Sequence, residues 1–169
     1  MNIGGYIVIA AASIAAAIVG VGVLSTMYGA TTTTVTVPEI VTETAPVPVA
    51  VSDTGTLNST EAEALLYMIE EEKLARDVYT YLADKYGTSV FVNIAVSEQN
   101  HMDAVMQLIE KYGLNITLGD YGEFNNEHIQ ELYNQLIAMG NQSLEGALKV
   151  GALIEETDIR DIKEWLNKV

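Results

Sequence analysis

The chain has 169 residues, with 23 Asp and Glu against 8 Lys and Arg and a formal net charge of −15. That length holds one ordinary domain plus an accessory segment, and so acidic a surface argues against nucleic-acid binding while suiting the attraction of cations. Cysteine is absent, which excludes a disulfide framework, a thiolate metal site and a Cys nucleophile. Any metal must then be held by oxygen and imidazole, a donor set that favours iron or manganese and, to a lesser degree, zinc.

Residues 1–30 read as a membrane segment. From Ile7 to Met27 there is no charged residue, a length close to the ~20 residues that cross a bilayer. A signal-peptide apolar core is shorter, about 7–15 residues, and follows a basic stretch that this chain lacks. An uncleaved single-pass anchor is the favoured reading and a cleaved signal the other. No Lys or Arg precedes Lys73, so flanking charge does not set the orientation.

Residues 31–58 form a tether, from the Thr31–Thr34 run through a mixture of Thr, Val, Pro and Ala without helical period. Sequons at Asn58, Asn115 and Asn141 add to the tether in placing the domain outside the cytoplasmic membrane.

Residues 59–169 are the globular part, and every signal there is helical. Ser59 or Thr60 is a candidate cap, and Thr60-x-x-Glu63 a capping box. The first helix runs from about Glu61 to Tyr86 and stops at Gly87; the second runs from about Val90 to Tyr112 and stops at Gly113. A loop with Gly119 and Gly122 leads to a short helix from about Asn126 to Met139, and Ser143 caps a final helix reaching to near Lys168. The expected fold is all-α, an antiparallel helical bundle with no strand.

Placed at about 100° per residue, each long helix carries acids on its apolar stripe. In the first, Glu71 falls nearest the centre of the Met68, Ala75, Val78, Tyr79, Leu82 stripe, with Glu72 at its edge and Glu70 facing away. In the second, Glu98 and His101 straddle the centre, and in the last Glu155 and Asp158 do so at the same spacing of three. Isolated buried carboxylates are costly, so such groups pair or bind metal. Glu71, Glu98, His101, Glu155 and Asp158 are therefore the candidate metal ligands, against a competing polar network in which Arg76 reaches a carboxylate. His128 lies off its helix's stripe and reads as a surface residue. Tyr79, Tyr86 and Tyr112 read as core residues with hydrogen-bonded hydroxyls.

Three stretches, Glu70–Tyr79, Phe91–Val105 and Ala147–Ile159, resemble an uncharacterised branch of the ferritin-like superfamily over about residues 59–166. The resemblance implies a ferritin-like bundle with a carboxylate-bridged di-iron or related site. Glu71, Glu98, His101 and Glu155 sit where its metal ligands are expected, and Asp158 matches a family position. Such bundles carry a further helix with a second histidine, whereas this sequence stops at Val169. Three readings of that departure stand: a mononuclear or weak site, a site completed by a partner subunit, or a truncated frame whose open face favours a homodimer.

The expected function is a membrane-tethered ferritin-like metal protein, binding iron with manganese or zinc as alternatives, with ferrous oxidation or dioxygen and peroxide chemistry to follow. The alternative is a metal-free structural or interaction module on the cell surface.

Overall fold

The computed structural model describes residues 56–168, and among them there are four α-helices and no strand. They are α1 (Ser59–Tyr86), α2 (Ser89–Lys111), α3 (Glu127–Gly140) and α4 (Leu144–Leu166). The expected membrane segment and most of the tether lie outside the described residues. Among those described, no helix is long and apolar enough to cross a membrane.

The helix ends follow from local chemistry. α1 starts two residues earlier than the Thr60-x-x-Glu63 box implies. Asn58 accepts from the Glu61 amide at 3.0 Å while the Glu61 carboxylate accepts from the Asn58 amide at 2.8 Å, a reciprocal capping box. Asn58, Ser59 and Thr60 can all cap; the earliest frame also sets Leu57 just outside the helix, where it packs onto the core. Gly87 ends α1 at φ 63°, a left-handed conformation that glycine adopts without a Cβ penalty. Only Gly87 and Thr88 separate α1 from α2, so the chain reverses and α2 runs back along α1. Tyr79 therefore meets Phe91, with ring centroids 6.3 Å apart, while Ile69 shares a cluster with Ile109. Side chains of Asn126 and Ser143 cap α3 and α4.

α1 is the axis of the molecule. α2 packs along it more extensively than any other helix, and α3 and α4 pack on it and on each other. Every residue from Met68 to Ala75 is buried, which is more than two full turns. A helix of this kind has neighbours on all sides. The apolar core falls into two clusters. One gathers Leu65, Met68 and Ile69 with Val105, Ile109 and Ile162; the other gathers Val78, Tyr79 and Leu82 with Phe91, Ile129, Leu136 and Val150. Each fully buried side chain of this size stabilises the fold by about 1.5–3 kcal/mol. Between the clusters α1 presents Glu70, Glu71, Glu72 and Lys73, all buried.

Part of that polar layer is structural. The Lys73 ammonium is 2.7 Å from Asp77 Oδ2, donates to the carbonyls of Asp120 (2.7 Å) and Glu123 (3.1 Å), and lies 4.3 Å from the centroid of the Phe124 ring. Asp77, fully buried, also accepts from the Gly122 amide at 3.0 Å and from Arg76 at 2.7 and 2.9 Å. Glu70 accepts from the Asn125 and Asn126 amides, both at 2.8 Å, at the threshold of α3. These bonds strap the segment between α2 and α3 across α1. The expected network of Arg76 with a carboxylate thus exists, but its partner is Asp77, outside the candidate ligand set. His128 is exposed.

Candidate metal centre

Glu72 on α1 and Glu98 and His101 on α2 bring one ligand atom each within 4.8 Å of one another, and all three residues are buried. Glu98 and His101 are one turn apart on α2, so their side chains lie one above the other. His101 Nδ1 is 2.9 Å from Glu98 Oε2 and 3.5 Å from Glu72 Oε2. On the other side of the ring, Nε2 is 3.4 Å from Ser97 Oγ.

Glu155 on α4 lies near enough to feel the charges of Glu98 and His101. Its Oε1 accepts from the Tyr79 hydroxyl at 3.0 Å, and that hydroxyl also reaches the Gly151 carbonyl at 3.2 Å. A Cβ at position 151 would stand 3.2 Å from the same hydroxyl, so the backbone of α4 approaches Tyr79 closely there. Asp158, one turn further along α4, is buried among the same acids.

The electrostatics record a surplus of negative charge. Burial pushes Glu72 up to about 7, with His101 pulling it back and the Glu98 charge pushing it further. Burial and the Glu98 charge likewise raise Glu155 to about 7, against the Tyr79 hydrogen bond and the His101 charge. Asp158 is held well above the ordinary carboxylate range by burial and by the charges of Glu72, Glu98 and Glu155. Burial works against a charged His101, but hydrogen bonds and charges of Glu72 and Glu98 outweigh it and push the imidazole up to about 10. The nearest basic residues on α1, Lys73 and Arg76, are engaged with Asp77.

Glu71 lies outside the converging triad of Glu72, Glu98 and His101. It faces α4, where burial and the charges of Asp158 and Asp161 hold its carboxyl well above its ordinary range, and it shares with Asp158 the lining of a small cavity of about 10 Å³. Glu72 takes the place beside Glu98 and His101 that the apolar stripe had pointed to for Glu71. The stripe misleads because α1 is enclosed on every side between Met68 and Ala75, so its centre is an average over several faces. Lys73 and Asp77 form a buried ion pair that the apolar stripe does not point to. Their spacing of four along one helix face was the available signal for an ion pair.

The donor set suits a divalent cation. Glu155 Oε2 is a buried side-chain oxygen without a hydrogen-bond partner, and Glu72 Oε2 meets the His101 ring only at 3.5 Å; a buried acceptor so poorly paired costs free energy that a bound cation would offset.

A family model described as an uncharacterised protein domain, DUF2202, matches residues 61–169. The chain belongs to the DUF2202 family. A curated relative, the uncharacterised protein MJ0754 of Methanocaldococcus jannaschii, is 48% identical over 114 residues, covering 66% of this chain and 62% of the relative. The chain therefore spans less than two thirds of that relative's length. The crystal structure of the hypothetical protein MJ0754 from Methanococcus jannaschii matches this DUF2202 chain with a TM-score of 0.67 at 46% identity, covering 69% of this chain and 68% of that one. The helical arrangement of this DUF2202 domain is thus shared with an experimentally determined structure.

Proposed function

We propose that this DUF2202 protein is a ferritin-like metal-binding protein whose centre is Glu72, Glu98 and His101, with Glu155 and Asp158 of α4 as further oxygen donors. The observation that carries this reading is the convergence of one ligand atom from each of three buried residues within 4.8 Å, with Glu72 Oε2 paired only loosely, to His101 Nδ1 at 3.5 Å. Carboxylate and imidazole favour iron or manganese, with zinc as a further fit. Carboxylates from several helices around a Glu-x-x-His turn are also how ferritin-like bundles hold paired metals. Bound iron would supply one-electron chemistry with dioxygen or peroxide. His101 would turn Nδ1 to the ion, and Tyr79 would fix the orientation of Glu155 through its Oε1. The uncharged stretch Ile7–Met27 and the Thr-rich tether after it support a single-pass membrane anchor with the helical domain on the extracytoplasmic side.

The test is metal analysis of the protein after incubation with ferrous iron, manganese or zinc and removal of excess ion. Wild-type protein should retain about one ion or more per chain, and Glu98→Ala and His101→Ala should lose it. Unchanged metal content in both variants would contradict the proposal.

One observation favours a metal-free interaction module instead. The 2.9 Å His101–Glu98 pair already compensates one carboxylate. That reading requires a melting temperature indifferent to chelator and to added metal, whereas an ion bound only by the folded state raises it.

A further inference from the structure

α2 and α4 lean on α1 from different sides, and between them lies a cleft of about 300 Å³. Tyr79 and Phe91 line it from within. The α2 wall is a single turn, Val90 to Ile94, and the α4 wall runs from Leu148 to Ile159. Gly151 and Ala152 give the α4 wall its depth, having almost no side chain to fill the space. Glu155, a proposed metal ligand, forms part of the same wall, while its Oε2 is closed off from solvent.

We propose that this cleft binds a small neutral apolar molecule, one side chain away from the candidate metal centre, with Glu155 as the shared wall. The volume and the lining fit such an occupant. An apolar cavity of about 150 Å³ accepts benzene, and small-molecule sites run from about 300 to 1,000 Å³ with mostly apolar walls. A docked helix does not fit, because it needs a groove several turns long on both sides, and α2 offers one turn. A second copy of the chain is disfavoured by the acidic balance of the sequence, 23 Asp and Glu against 8 Lys and Arg. Glu155 and Glu156 at the wall offer no cationic partner to an anionic ligand. The Tyr79 hydroxyl is already engaged with Glu155 and Gly151, so recognition rests on shape and apolar contact. The placement beside a metal rests on the function proposed above; the occupancy of the cleft does not.

Photolabelling of the full chain with benzophenone, a neutral apolar probe, followed by mapping of the attachment points by mass spectrometry, tests this. Labelling should saturate and fall within Val90–Ile94 and Leu148–Ile159. Ala152→Phe, on the exposed wall, should reduce it several-fold and leave metal content unchanged; Ala152→Leu should give an intermediate loss. His101→Ala should lose metal and keep the label. A failed metal reading therefore shows in the metal content alone, with labelling intact. Labelling that is scattered, unsaturable or indifferent to both Ala152 variants overturns the proposal. So does a wild-type dimer that leaves these segments unlabelled while Ala152→Phe is monomeric, since a second copy would then be the occupant.

Discussion

Glu70, Glu71 and Glu72 stand about 100° apart around α1 and serve three neighbours. Glu70 accepts the amides at the start of α3, Glu71 faces the acids of α4, and Glu72 faces Glu98 and His101 on α2. Their roles should separate cleanly in a calorimetric zinc titration. Glu72→Gln removes a ligand and should weaken binding by more than the roughly 10–100-fold typical of losing an outer-shell partner. Glu71→Gln should change it by no more than a few-fold. Equal losses from both would place the ion between α1 and α4 instead. The Glu98-x-x-His101 pair was legible from spacing on an amphipathic helix. Which of three adjacent glutamates joins it was not, because α1 has no exposed face over that stretch to orient the reading.

At the scale of elements, the strap across α1 depends on Asp77. This one carboxylate holds Lys73, Arg76 and the Gly122 amide, and the backbone carbonyl of the same residue accepts from Tyr121 at 2.9 Å. Asp77→Ala leaves the buried Lys73 ammonium without its counter-charge. Removing one member of a buried ion pair costs roughly 3–5 kcal/mol, so chemical denaturation should show a loss of that order. A loss under about 1 kcal/mol, the level of an exposed pair, would mean that water takes over the role of Asp77. The four helices and their glycine and serine stops were readable because local chemistry sets them, as Gly87 and Ser143 show. The strap was not, since its partners lie more than 40 residues apart in sequence. The start of α1 was ambiguous because three successive polar residues can cap it; Asn58 does so through its reciprocal bonds with Glu61, and Leu57 before it packs on the core.

At the scale of the whole molecule, the acidic layer makes stability depend on pH in a direction opposite to ordinary acid denaturation. Glu72 and Glu155 are held up to about 7 against an ordinary 4.5, so the folded state keeps protons that the unfolded chain has released. Their contribution is fully present below about pH 4.5 and is lost as pH rises through about 7. His101, pushed up to about 10 from 6.5, contributes fully below pH 6.5 and loses that contribution as pH rises through about 10. Both shifts have the same sign. The melting temperature of chelator-treated protein should therefore fall between pH 5.5 and 8.5, and metal should reduce the fall, because the ion displaces protons and binds better as pH rises. A melting temperature that climbs with pH in chelator would show that these acids are not buried together as described.

The most direct test of the central claim is an anomalous-scattering map from crystals of the protein grown with zinc. A peak is expected among the three helices α1, α2 and α4, bonded to Glu72, Glu98 and His101 Nδ1 at about 2.0–2.2 Å. No peak there, or a peak bound by Glu71 and Asp158 without His101, would contradict it.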